Sequence, residues 1–145
     1  MIKSFQIYKR HSIVPLDVAL NAIQVSVEAI KAKKKPVKTE INGVKVNAKS
    51  LRLQTFFHKG IVCAKCGCVG IHFALESSQG QSSCHLNLWA IDKHGDEVLM
   101  THDHVLARSL GGADNLSNTQ TMCSPCNAEK AVGECQQHQE LLKLK

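Results

Sequence analysis

Two cysteine pairs carry the clearest chemical spacing in this chain. Cys63-Ala64-Lys65-Cys66 and Cys123-Ser124-Pro125-Cys126 are both Cys-x-x-Cys. Two intervening residues let both sulfurs of a pair turn to one point, and two pairs complete the tetrahedron that Zn²⁺ prefers. Four protein thiolates leave no position for a reacting water, so the expected zinc holds structure and does no chemistry. Cys68 is an alternative to Cys66 as a ligand, while Cys84 and Cys135 read as plain thiols. The sequence has 7 cysteines, an odd number, and the lysines near its start precede no secretory apolar segment. A disulfide scaffold is therefore the weaker reading.

Between and beyond the pairs runs a second set: Asp103-His104, Arg108, Gly111-Gly112, Asn118, and then Cys123 to Cys126 followed by Asn127 and Lys130. In this order the set resembles the HNH endonuclease family, whose pattern is Asp-His, a Gly-Gly loop, a central Asn and Cys-x-x-Cys-Asn-x-x-Lys. The resemblance extends over roughly residues 63–133. The lead-in at 53–60 looks like phage-encoded members. Two departures are visible: Ala107 stands where the family often has Pro, and Ala131 where Gly is frequent. Neither removes a reactive group.

The resemblance implies an α+β fold with a ββα-metal (His-Me finger) core and a four-cysteine structural zinc. It also implies DNA hydrolysis with Mg²⁺ or Mn²⁺, leaving 3′-hydroxyl and 5′-phosphate ends. Phosphodiester hydrolysis needs a base for the water, a cation for the departing oxygen, and a frame that holds both. On that pattern His104 is the base, since imidazole as a type accepts protons near neutral pH. Asp103 and Asn127 supply a charged and a neutral oxygen for the divalent ion. Asn118 holds the His104 segment through backbone hydrogen bonds. Arg108 and Lys130 are phosphate contacts, which position DNA without reading its sequence.

Each residue also has a plainer reading. An Asp-His pair alone signals little, and Asn118 alone is an ordinary turn residue. His102 is a second imidazole near the family position, but the pattern selects His104. His58, His72, His85, His94 and His138 read as structural or solvent-facing. The rival functions are a non-catalytic zinc-containing DNA- or RNA-binding module, and a phage assembly or packaging accessory that keeps the nuclease fold for partner proteins. The first predicts that Asp103, His104 and Asn127 are replaceable. The second predicts a stable partner complex.

The elements that must position these residues follow from pattern and charge. Residues 1–60 hold 12 Lys and Arg against 3 Asp and Glu, whereas residues 61–145 hold 6 against 9. That asymmetry divides the chain into a basic, helical DNA-holding region (1–60) and a nuclease region with the zinc knuckles (61–145). Lys33, Lys34, Lys35 and Arg52 are its DNA-holding cations; a solvated helix end is the alternative for the lysine run. Residues 5–9 read as a short strand. Pro15 opens a helix whose Leu16, Leu20, Ile23, Val27 and Ile30 form one stripe. The stripe is a packing face, with a homodimer seam as the alternative.

Residues 37–46 alternate around Asn42-Gly43, a hairpin signal. Residues 47–58 read as a helix with Leu53, Phe56 and Phe57 inward and Lys49 and Arg52 outward, stopped at Gly60. Strands follow, with Ile71, Phe73 and Leu75 on one face, then Leu86, Leu88 and Ala90, a turn at His94-Gly95, residues 98–101, and residues 119–122. Ser124-Pro125 starts a helix, and Leu141, Leu142 and Leu144 sit on a last one. No apolar run reaches membrane-spanning length. The expectation is a cytoplasmic protein, in a bacterial host cell if phage-encoded, with DNA as its partner.

Overall fold

The computed structural model describes residues 8–144. Its elements are β1 (Tyr8–Val14), α1 (Leu16–Lys31), β2 (Thr39–Ile41), β3 (Val44–Val46), α2 (Leu51–Lys59), β4 (Gly70–Ser78), β5 (His85–Ile91), β6 (Glu97–His104), β7 (Thr119–Cys123) and α3 (Ser124–Lys143). Short 3₁₀ turns occupy Arg108–Leu110 and Leu116–Asn118 between β6 and β7. Five strands form one sheet in the order β1-β4-β5-β6-β7, and β2-β3 is a separate hairpin. Every neighbouring pair is antiparallel. A mixed α and β architecture is what the strand and helix patterns call for, and β6, β7 and α3 follow one another as a β–loop–β–α unit.

Period-two alternation divides the sheet residues between two faces. Phe73 and Leu75 of β4, Leu86, Leu88 and Ala90 of β5, Met100 of β6 and Met122 of β7 lie in one core with Val14, Ile23, Leu53 and Phe56. Phe56 of α2 meets Phe73 edge-on, with ring centres 6.2 Å apart. Ile71 departs from the expected face: the β4–β5 register shifts between Gly70 and His72, and Ile71 is turned outward. Because β1 pairs with β4, residues 8–14 are knitted into the same sheet as the C-terminal strands.

The expected strand at 5–9 lies partly outside the described residues; within them the strand is Tyr8–Val14. Pro15 caps α1 from just outside rather than sitting in its first turn. The deeply buried line of α1 is Ala19, Ala22, Ile23 and Ser26, while Leu16, Leu20 and Val27 are partly buried against the core and Ile30 is exposed. Small side chains let the helix approach closely, which shifts the buried line off the sequence stripe. Asn42 and Gly43 take φ of 50° and 79°, the paired left-handed conformations of a tight hairpin turn.

α2 begins at Leu51 rather than at Asn47, because the Ser50 hydroxyl accepts Leu53 N–H as its cap. Asn47 instead turns its carboxamide oxygen to Lys49 N–H. The outward placing of Arg52 is a further correction: it is half-buried, with its Nη2 donating to the Leu86 carbonyl at 3.0 Å. The separate last helix is the end of α3, which runs unbroken to Lys143 with Leu141, Leu142 and Leu144 exposed. No helix of the described residues is long and apolar enough to cross a membrane.

The other face of the sheet is polar, which the alternation does not reveal. Glu76, fully buried, accepts Trp89 Nε1–H at 2.7 Å, Asn87 Nδ2–H at 2.9 Å and Arg10 Nε–H at 2.8 Å. Arg10 lies 5.2 Å from the Trp89 ring centre and also makes a two-pronged pair with Glu97, at 2.8 and 3.2 Å. Removing one member of a buried charge network strands the rest. Glu76→Ala is expected to cost about 3–5 kcal/mol in urea unfolding, with the β1 amides losing hydrogen-exchange protection first.

The Arg10 hydrogen bond holds the Glu97 carboxyl below its ordinary value of 4.5, against partial burial that works upward. A depressed folded value contributes stability that is complete above the unfolded value and is lost as pH falls through the folded one. Unfolding midpoints followed from pH 7 downward should therefore drop below about pH 4.5, and Glu97→Gln should flatten that part of the acid limb.

Candidate active site and cysteine centre

The segment joining α2 to β4 doubles back as a small loop. Cys63 N–H donates to the Cys68 carbonyl at 2.9 Å, Gly67 N–H to the Cys63 carbonyl at 3.0 Å, and Val62 bridges Val69. Ala64 N–H reaches the Thr121 carbonyl of β7 at 2.9 Å, which brings the loop against the start of α3. The sulfurs of Cys63, Cys66, Cys68 and Cys123 all lie within 4.8 Å of one another. Cys126, also buried, interacts through its thiol with Cys123, Cys66 and Cys63. Five sulfurs thus share a site for which the two Cys-x-x-Cys pairs supply four.

These groups fit a soft, thiolate-binding cation. Burial works to raise the Cys63 thiol, but backbone N–H groups of Cys123, Cys66 and Lys65 bring it down to about 6. Burial pushes Cys68 and Cys123 up to about 12 and raises Cys126 as well. The backbone N–H of Cys68 lowers the Cys66 thiol as well, so two sulfurs lean toward thiolate and the others would yield their protons to a bound dication. Four cysteines this close can hold a metal such as zinc.

β6 carries the next set. Asp103 is buried, and its Oδ2 accepts Lys130 Nζ at 2.8 Å and Gln120 Nε2 at 3.0 Å. Lys130 also donates to the carbonyls of His104 (2.6 Å) and Val105 (3.3 Å) and to Glu134 Oε2 (3.3 Å). Burial works against its charge, but Asp103 and Glu134 together hold its ammonium above the ordinary lysine value. One helical turn earlier on α3, Asn127 Nδ2 donates to Thr101 Oγ1 at 2.9 Å. Thr101 and Asp103 share a face of β6, so Asn127 and Asp103 line the same strand–helix seam.

His104 projects from the opposite face of β6. Its Nε2 lies 2.8 Å from Asp114 Oδ1, and its ring centre is 5.8 Å from that of His102. The His104 hydrogen bond holds the Asp114 carboxyl below the ordinary carboxylate range. Burial, then His104 and Arg52, hold the His102 imidazole below its ordinary value. Asp114 escaped sequence reasoning; its place just after Gly111-Gly112 was the available signal. Strand alternation separates Asp103 and His104 across β6, although they are consecutive.

The loop from Val105 to β7 is held by one side chain. Asn118 Oδ1 accepts Leu106 N–H at 3.0 Å, and its Nδ2 donates to the carbonyls of Leu106 (2.9 Å) and Ala113 (2.8 Å). The Asn118 carbonyl accepts Val105 N–H at 2.8 Å. Gly112 sits where a Cβ would lie 1.8 Å from the Leu106 carbonyl oxygen, so only glycine permits this closure. Arg108 is exposed, with Nη1 3.9 Å from Asp114 Oδ2. Lys33, Lys34 and Lys35 are exposed beyond the end of α1. Lys130, by contrast, directs its ammonium into the protein rather than outward.

The cysteine centre yields a direct test. Purified protein should carry about one zinc per chain, and Cys63→Ser should lose it. A chelator strong enough to remove the metal should lower the melting temperature and expose the β4–β7 amides to exchange. Metal-free protein with an unchanged melt would sink this reading.

No curated protein and no solved structure matches the chain. The family model described as HNH endonuclease matches residues 92–137, which contain β6, the Asn118-braced loop, β7 and most of α3. The similarity to HNH endonucleases is thus carried by residues 92–137, about a third of the chain.

Proposed function

We propose that the protein is a metal-dependent DNA endonuclease whose centre lies at the C-terminal end of β6. The observation that carries this reading is the His104 Nε2–Asp114 Oδ1 contact of 2.8 Å, placed inside the segment that matches the HNH endonuclease model. A carboxylate that takes the Nε2–H fixes the imidazole tautomer and leaves the Nδ1 lone pair open to accept a proton from water. His104 is the general base in this scheme and Asp114 its positioning residue. Asn118 keeps the loop that carries Asp114, and that follows His104, in register. Arg108, exposed beside Asp114, contacts a phosphate.

Asp103 and Asn127 would hold the divalent ion, Mg²⁺ or Mn²⁺. One carboxylate and one carboxamide are hard oxygen donors of the kind such ions take. The chemistry such an ion would supply is stabilisation of charge on the departing 3′ oxygen. Lys130 orients the Asp103 carboxylate and ties α3 to the end of the strand that carries it. The products are 3′-hydroxyl and 5′-phosphate ends, and the choice between nicking and double-strand cleavage rests on whether two copies act together.

The test is cleavage of supercoiled plasmid by zinc-loaded protein, with and without added Mg²⁺ or Mn²⁺. His104→Ala is expected to lower the rate by about 10²–10⁴-fold while leaving the melting temperature within a few degrees. Cleavage that persists in His104→Ala would refute the assignment of the base. A folded wild-type protein that binds plasmid and never cuts it would move the non-catalytic binding module ahead.

A further inference from the structure

β5 and β6 are paired only over Trp89↔Leu99, Ala90↔Val98 and Ile91↔Glu97. Beyond that ladder the strands diverge toward His85 on one side and His102 and His104 on the other. Backbone groups released from a ladder need new partners, and the Leu86 carbonyl takes Arg52 Nη2 at 3.0 Å. The divergence leaves a groove of about 450 Å³ between α2 and the sheet, whose polar lining includes Arg52, His85, His102 and Asn47. No carboxylate among the described residues lines it. Among the described residues Arg52 has no acidic group within ion-pair distance, although its charge is permanent.

Beyond ion-pair distance, Glu76 favours the Arg52 charge but does not offset the burial. A guanidinium drawn half inside the fold loses hydration, and burial does lower its proton affinity. Only one of its five N–H donors is engaged in a hydrogen bond with a described residue, at Leu86. His102 lines the groove with Arg52, and its ring centre is 5.8 Å from that of His104. A cationic groove one side chain away from the proposed base is suited to the phosphate next to the one being cut.

We propose that this groove seats a phosphodiester group of the bound DNA strand, with the Arg52 guanidinium supplying charge and His85 and His102 supplying N–H donors. The inference deepens the nuclease reading and rests on it only for the strand being the substrate. It also gives α2 a purpose beyond packing: the helix carries the cation to a fixed point, whereas the lysines after α1 contribute only a diffuse field. A fixed guanidinium sets the register of the strand over His104.

The measurement is binding of full-length, zinc-loaded protein to a labelled DNA duplex by fluorescence anisotropy, without added Mg²⁺, across a salt series. Arg52→Gln is expected to weaken binding about tenfold and to reduce the slope of log K against log salt by about 0.9, the share of one phosphate. Arg52→Lys should retain the slope. His85→Glu, at the exposed rim, should also weaken binding about tenfold, and it decides the matter alone if Arg52→Gln fails to fold.

Unchanged affinity and slope in folded Arg52→Gln, or unchanged affinity in His85→Glu, overturns the proposal. So does inorganic phosphate binding that needs Arg52 while DNA affinity does not, since the groove would then serve a free anion. The two readings fail separately. Wild-type protein that never cuts plasmid, yet loses DNA affinity on Arg52→Gln, retires the nuclease and keeps the groove.

Discussion

The sulfur cluster is the constraint on which the site depends. Cys63 and Cys123 are 60 residues apart in sequence, yet their sulfurs lie 3.7 Å apart. Thiolates in such proximity repel, so a cation that neutralises them converts a costly contact into a joint. Such a joint would secure the loop after α2 to the junction of β7 and α3. Everything that α3 positions afterwards, including Asn127 and Lys130, inherits its direction from Cys123 and Cys126 at the helix start. A helix with few buried residues of its own has little apolar packing to aim it, since Cys126 is the one it buries among its described residues.

Lys130 then performs for the strand what the cysteines perform for the helix. Its ammonium binds a carboxylate and two successive carbonyls at the end of β6, so strand end and helix cannot move independently. The result is a strand with a different task on each face. Asp103 and the seam with Asn127 face α3, while His104 faces Asp114 and the diverging end of β5. The Asn118 clamp and the close approach at Gly112 keep the intervening loop from blurring that division.

The polar face of the sheet serves a different end. Glu76, Arg10, Trp89 and Asn87 form a network that pins the edge strand β1 onto β4. Hydrogen-bonded buried charge adds little net stability compared with apolar packing but is severe when incomplete. β1 is thereby held on β4, while residues of α1 and α2 pack into the apolar core on the other face.

What the sequence determined by itself was local chemistry. The two Cys-x-x-Cys pairs, the Asn42-Gly43 hairpin, the order of Asp103, His104, Asn118 and Asn127, and the strand alternation are written in spacing, because short-range geometry depends on few residues. Tertiary structure decided the rest. Cys68 joins the sulfur cluster because the loop folds back through Cys63 N–H. Arg52 turns inward because β5 and β6 diverge and leave a carbonyl to satisfy. Asp114 reaches His104 only once Asn118 has closed the loop, and Lys130 turns from surface cation to internal brace because Asp103 is buried opposite it. Each of these is a pairing between segments distant along the chain, and no local pattern records which partner a polar group will find.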